Sequence, residues 1–159
     1  MPVTQLLHHY DTAIKNKSRS LGVIKRTNCI KMSKKILVLD DSEDILEVMK
    51  DILESDGYEV KTMNFADDIV KEAIDYNTDM VILDYILFGI NGGELCHALK
   101  TTPITAHIPV IMVSAYPRVL ESLGNYGSDA FIAKPFDIRD VSNVVKSCFT
   151  KSGSDMEHA

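Results

Sequence analysis

Three carboxylates, one hydroxyl and one ammonium stand at matching places along this chain. Asp40-Asp41, Asp84, Ser114 and Lys134 each close a short apolar run: Lys35-Ile-Leu-Val-Leu, Asp79-Met-Val-Ile-Leu, Pro109-Val-Ile-Met-Val and Asp129-Ala-Phe-Ile-Ala. Packed together, three carboxylates repel, and their ionised forms are costly unless a cation joins them. Hard oxygen donors with no His or thiolate beside them favour Mg2+ over zinc or copper. Lys134 offers a point charge suited to a phosphate oxygen, and Ser114 a hydroxyl donor. A divalent cation, an ammonium and a hydroxyl around one carboxylate suit phosphoryl transfer onto that carboxylate, since they balance charge on the equatorial oxygens. Taken singly, each residue has a plainer explanation. An Asp after a strand commonly caps the next helix, and Lys-Pro is a turn signal. What those explanations leave out is the joint occurrence at the ends of different strands.

Such convergence requires a parallel sheet. Strands are expected at 35–40, 58–63, 79–84, 109–114 and 129–133, the first a continuous apolar run typical of a strand buried on both faces. Helical patterns alternate with them. Ile45, Leu46, Met49, Ile52 and Leu53 share one face, with Ser42 or Asp41 as N-cap and Gly57 as stop. A second helix is expected from a cap at Asn64 to about Tyr76, with Phe65, Ile69 and Ala73 facing inward. Asn91-Gly92-Gly93 leads into a third that ends near Lys100, and Pro117 to Leu123 reads as a short fourth. The last shows Ile138, Val141, Val144, Val145, Cys148 and Phe149 on one face. Five strand-helix units in strict alternation imply an α/β fold with helices on both sides of the sheet. In such sheets ligands bind beyond the carboxyl ends of the strands.

The 159 residues suit one domain, and 45% hydrophobic with 25% charged residues excludes wholesale disorder. The net charge of −6 is uneven: residues 1–31 hold six basic residues and one acidic, while 32–159 hold eleven and 22. An acidic body argues against direct nucleic-acid binding, which needs clustered Lys and Arg. The near-apolar stretch Met80 to Ile90 is interrupted by Asp84 and too short to span a bilayer, so no membrane association is expected. Cys29, Cys96 and Cys148 are odd in number and widely spaced, which points to reduced thiols and a cytoplasmic location. The expected organisation is a poorly structured basic extension over 1–31, a compact domain over 32–150 and a flexible tail over 151–159. The extension reads as an upstream start or an added segment; N-terminal sequencing of the endogenous protein that finds Met1 or Pro2 would overturn this.

From about Lys34 to Thr150 the chain resembles the receiver domain of two-component response regulators. The resemblance is carried by Leu39-Asp40-Asp41-Ser42, Leu83-Asp84, Asn91-Gly92, Val113-Ser114-Ala115 and Ala133-Lys134-Pro135-Phe136. Spacings of 43, 30 and 20 residues separate Asp41, Asp84, Ser114 and Lys134. The set is specific where each motif alone is weak. The resemblance implies a flavodoxin-like, doubly wound (βα)5 fold with strand order 2-1-3-4-5. It implies Asp84 as phosphoacceptor and Mg2+ held by Asp41, Asp40, Asp84 and the backbone carbonyl of Ile86. Ser114 and Lys134 would hold the phosphoryl oxygens, Phe131 would occupy the aromatic switch position, and the Lys134-Pro135 bond would be cis. A histidine kinase or histidine phosphotransfer protein would donate the phosphoryl group, which the domain would then lose by self-catalysed hydrolysis. A downstream protein would read the face formed by the fourth helix, fifth strand and fifth helix, and the phosphorylated form could pair as a homodimer. The reading is therefore a signalling phosphoacceptor that catalyses only its own phosphorylation and dephosphorylation. About nine residues follow the last expected helix, so a stand-alone receiver is expected.

Some positions depart from the family's pattern. Phe131 lacks the hydroxyl of a tyrosine, so its switching would rest on packing. Phe88 stands where the family often has Pro, followed by Gly89. Ile86 and Tyr116, two residues beyond Asp84 and Ser114, are expected to hinder an attacking water and lengthen the phosphorylated lifetime. The rival reading is a degenerate receiver acting as a phosphorylation-independent interaction module, which the complete acidic, hydroxyl and Lys set argues against. An FMN carrier would need a Gly- and hydroxyl-rich loop after the first strand, where Asp41-Ser-Glu-Asp44 would repel phosphate. A phosphohydrolase with an aspartyl nucleophile would show Asp-x-Asp there. His97 and His107 lack partners at ligand spacing and read as ordinary surface or core histidines.

Overall fold

The computed structural model describes residues 33–87, 89–116 and 126–154, all within one compact unit over Ser33–Ala159. The expected extension over 1–31, Cys29, Phe88 and the short helix at Pro117 to Leu123 lie outside the described residues.

Five parallel strands form the sheet: β1 (Lys35–Leu39), β2 (Glu59–Met63), β3 (Met80–Asp84), β6 (Val110–Ser114) and β7 (Ala130–Ala133), in the order β2-β1-β3-β6-β7. That is the expected 2-1-3-4-5 order once two short strands are counted. These are β4 (Ile86–Leu87) and β5 (Ile90–Asn91), which pair antiparallel as a hairpin between β3 and the next helix. No expectation covered them, because two-residue strands carry no periodic signal.

The continuous apolar runs are explained by burial on both faces. Side chains alternate across a strand, so successive residues enter different cores. Ile36, Val38, Met80, Ile82, Ile111, Val113 and Ile132 pack on one side, with α1 (Glu43–Ser55) and α4 (Ile138–Ser154). Leu37, Leu39, Val81, Leu83, Val110 and Met112 pack on the other, with α2 (Ile69–Tyr76) and α3 (Gly92–Thr101). On α1 the buried residues Leu46, Met49, Ile52 and Leu53 follow the helical period, and Glu43 and Asp44 complement the dipole of its first turn.

Three expectations need correction. Helix α2 starts at Ile69 instead of Asn64, because Asp68 caps it by accepting the Lys71 N–H at 3.0 Å. Asn64 is drawn away to the Glu43 carboxylate at 2.8 Å, and Phe65 is exposed while Ala66 and Ile69 fill the core. Ile138 is also exposed, and Val141, Val145 and Cys148 make the buried stripe. Helix α4 continues through 151–154, residues expected in the tail, where no proline interrupts its hydrogen bonding.

Candidate functional site

Register places the strand-end residues at one level. Leu39 lies beside Leu83, Asp84 beside Val113, and Ser114 beside Ala133. Alternation then decides which side of the edge each takes. Val38, Ile82 and Ile132 point into the core under α1 and α4, and two residues further along each chain come Asp40, Asp84 and Lys134. The Lys134 ammonium lies 2.7 Å from Asp40 Oδ2 and 3.1 Å from Asp84 Oδ1. Asp40 also turns the chain into α1, its Oδ1 accepting the Ser42 N–H at 2.9 Å. Ser42 is the N-cap of α1 but makes no side-chain cap bond.

Ser114 belongs to the opposite series, after Val110 and Met112. It is 1% exposed, its hydroxyl oxygen accepts the Tyr116 N–H at 3.0 Å, and its carbonyl accepts the Lys134 N–H at 2.8 Å. It stands at the rim, fixing the backbone that carries Lys134. Ile86 opens β4 with 53% of its surface exposed, and Tyr116 is 59% exposed beyond β6. Phe131 is half-buried on β7 beside Met112, against the α2–α3 core. The Lys134-Pro135 bond is cis.

Asp40 and Asp84 are buried, with 2% and 7% of their surface exposed, and Asp41 is half-buried. Burial is the main cause that pushes the Asp84 carboxyl above its ordinary pKa; Asp40 and Asp41 add to it, and Lys134 opposes it. Burial also disfavours the Lys134 cation, yet hydrogen bonds and charge from Asp40 and Asp84 outweigh it and raise the ammonium's pKa. The two directions are compatible because one ammonium is shared. Lys134 gains from two carboxylates, whereas Asp84 receives a share and bears burial and two like charges.

One oxygen each from Asp40, Asp41 and Asp84 can lie within 4.8 Å of the others, the one such metal-capable cluster among the described residues. Three carboxylates against one ammonium leave negative charge for a divalent cation to balance, and all three donors are hard oxygens. The residues therefore fit Mg2+.

The sequence reads Asn91-Gly92-Gly93 as the lead into a helix and assigns it no part in the site. A Cβ on Gly92 would stand 2.0 Å from the Asp84 carbonyl oxygen, so only glycine lets α3 begin against the backbone of Asp84. The Gly92 N–H donates to the Tyr85 carbonyl at 2.9 Å, and Asn91 caps α3 by accepting the Gly93 N–H at 2.8 Å. The signal available in the sequence was the Gly-Gly pair beside a cap residue, a close-approach pattern.

The family model for the response regulator receiver domain matches residues 36–146. The chain is 33% identical over 123 residues to the alkaline phosphatase synthesis transcriptional regulatory protein PhoP of Bacillus subtilis (strain 168), covering 76% of this chain and 50% of that protein. It is 31% identical over 123 residues to the phosphate regulon transcriptional regulatory protein PhoB of Rhizobium meliloti (strain 1021), covering 76% and 54%. The chain thus spans about half the length of these curated relatives. Among solved structures, the response regulator protein TrrA of Thermotoga maritima, in complex with Mg2+ and BeF, superposes with a TM-score of 0.66 at 30% identity, covering 72% of this chain and 98% of that one. Among the described residues no helix is long and apolar enough to cross a membrane. The matched span takes in every strand end that builds the acidic edge, and this chain belongs to the response regulator receiver domain family, a signalling domain of two-component systems.

Proposed function

We propose that this receiver accepts a phosphoryl group on Asp84 from the phosphohistidine of a histidine kinase or phosphotransfer protein. The observation that carries the reading is the Lys134 ammonium bridging Asp40 and Asp84 at a buried carboxylate edge, 2.7 and 3.1 Å away. An Asp84 carboxylate oxygen attacks phosphorus, the phosphorus–nitrogen bond breaks, and the imidazole nitrogen keeps the electron pair and takes a proton. Lys134 and the Ser114 hydroxyl hold the equatorial oxygens as charge moves onto them. Asp41, Asp40, Asp84 and the Ile86 carbonyl would hold Mg2+; the cluster of the three carboxylates, and the likeness to TrrA, solved in complex with Mg2+ and BeF, support an ion at this edge. Bound there, the ion would balance phosphoryl charge without proton transfer. Water then attacks phosphorus, the acyl phosphate bond breaks, and phosphate leaves with the carboxylate restored.

The exposed side chains of Ile86 and Tyr116 flank the approach to Asp84 and slow that water. Replacing them, as Ile86→Asn and Tyr116→Ala, is expected to speed dephosphorylation by roughly tenfold, about 1.4 kcal/mol of barrier; unchanged rates would refute this shielding. Output goes to a downstream protein through the face that includes β7 and α4, with Phe131 repacking as the signal. Single-domain status is a separate claim, checked by the size of the endogenous protein on an immunoblot.

The chemical identity of the adduct tests the proposal. Label transferred from a phosphorylated histidine donor is expected to be removed by hydroxylamine, which cleaves acyl phosphates. Label that survives hydroxylamine would place the phosphoryl group elsewhere and contradict the reading.

A further inference from the structure

Strand β7 delivers the ammonium of the site, since Lys134 follows its last residue, yet packing holds this strand least. It lies at the edge of the sheet, paired with β6, and of its four residues Ile132 alone is buried. Burial on both faces fixes the register of β3 and β6; on β7 it leaves the pairing weakly specified. The pairing nevertheless decides the chemistry. Side chains alternate along a strand, so a slip of one residue would carry Lys134 to the face opposite Asp40 and Asp84. At its carboxyl end β7 is held by the Lys134 N–H, which donates to the Ser114 carbonyl at 2.8 Å.

Asp129 holds the other end. Its N–H donates to the Val110 carbonyl at 2.8 Å, and its Oδ2 accepts the Val110 N–H at 2.7 Å, so main chain and side chain together grip the first residue of β6. The same oxygen lies 3.0 Å from the ammonium of Lys100, in the last turn of α3, which also donates to the Ile108 carbonyl at 3.2 Å. A slip of β7 would break both Val110 bonds and draw the carboxylate off Lys100. The carboxylate is exposed, so its ion pair adds little stability by itself. Asp79 makes a matching grip at the start of β3. Its N–H donates to the Lys35 carbonyl at 2.8 Å, its Oδ2 accepts the Lys35 N–H at 2.8 Å, and the Lys34 ammonium lies 2.7 Å from its Oδ1. Asp79 stands five residues before Asp84, and Asp129 five before Lys134. The difference lies in the strands. Burial keeps β3 in register without the carboxylate, whereas β7 depends on it.

We propose that Asp129, steadied by Lys100, is a positioning residue for phosphoryl transfer: it sets the register of β7 on β6 and thereby places the Lys134 ammonium on Asp40 and Asp84. The proposal rests on Asp84 as phosphoacceptor. Asp129 and Lys100 stand at the amino ends of the strands, away from the reacting atoms, and act through Lys134. Its ammonium must lie within hydrogen-bond reach of the phosphoryl oxygens, and a misplacement of about 1 Å can cost about a hundredfold in rate.

The test is the rate of phosphoryl uptake from phosphoramidate with Mg2+, followed by intact mass on the full chain, with circular dichroism checking that each variant is folded. Asp129→Ala is expected to slow uptake by roughly tenfold or more. Lys100→Met should slow it in the same direction by less, and it carries the test if Asp129→Ala does not fold. Asp129→Asn, which keeps an oxygen for the Val110 N–H, should recover most of the wild-type rate, and folded Asp79→Ala should keep it. Amide hydrogen exchange without phosphodonor reads the far end of β7. The Lys134 N–H should lose protection relative to the β3 amides in Asp129→Ala, and should not in Asp79→Ala. Wild-type uptake by folded Asp129→Ala, an equal loss in Asp79→Ala, or unchanged relative protection of Lys134 would overturn the proposal. No mass gain in wild type would remove the phosphoacceptor and the proposal with it, whereas a gain that folded Asp129→Ala matches in rate would overturn the proposal alone.

Discussion

Asp84 is asked to be an anion in a place that disfavours one. Its folded pKa is raised above the ordinary 3.8, chiefly by burial, so between those two values the folded state binds more protons than the unfolded. Stability therefore falls as pH rises through that window. Without Mg2+, urea unfolding should show Asp84→Asn more stable than wild type at neutral pH, and the variant should lack that part of the pH slope. The same protonation competes with the cation, so Mg2+ affinity should weaken as pH falls into the window. Lys134 is the other half of the balance. Removing it, as Lys134→Met, leaves Asp40 and Asp84 buried without their partner and should cost about 3 kcal/mol without Mg2+. Mg2+ should then raise the Tm of this variant more than that of wild type, because it replaces missing positive charge. A Tm shift no larger than wild type's would show that the ion binds elsewhere. The identities of Asp40, Asp84 and Lys134 were legible because each closes an apolar run. The sharing of one ammonium between two carboxylates was not, since it depends on rotamers that no sequence pattern encodes.

Elements matter here through their ends. Strands β3 and β6 are buried along their whole length, and β1 from Ile36 onward, which fixes their register and hence the level of the polar residues that follow. That much is written in the continuous apolar runs. Where α2 begins is written more faintly: Asn64 and Asp68 are both good caps, and the choice went to the one whose side chain was not recruited by Glu43. The hairpin of β4 and β5 is too short for any pattern to mark. It nevertheless sets the site, because it folds back so tightly that α3 starts against the Asp84 carbonyl. Gly92→Ala should therefore cost about 3 kcal/mol, read by chemical denaturation, and should weaken Mg2+ binding as the Asp84 loop is pushed aside. A variant with wild-type stability and Mg2+ affinity would contradict this close approach.

At the scale of the molecule, the acidic edge is the one metal-capable cluster of carboxylates among the described residues, and a cation bound there would relieve its repulsion. Mg2+ at ten times its Kd should add about 1.4 kcal/mol of stability, and chelation should remove it; Asp41→Asn should reduce the gain. The doubly wound architecture was legible because five strand-helix units alternate strictly, and the parallel order brings their carboxyl ends together without further information. Contacts across the fold were not: Tyr85 and Tyr126, whose ring centroids lie 6.3 Å apart, are 41 residues apart in the sequence, and their meeting depends on Gly93 making room. The central claim, that this edge takes up a phosphoryl group on Asp84, is tested most directly by intact mass after incubation with a small phosphodonor, with and without Mg2+, for wild type and Asp84→Asn. A Mg2+-dependent gain of one phosphoryl group in wild type and none in Asp84→Asn is predicted; no gain in folded wild-type protein, or an equal gain in the variant, would contradict it.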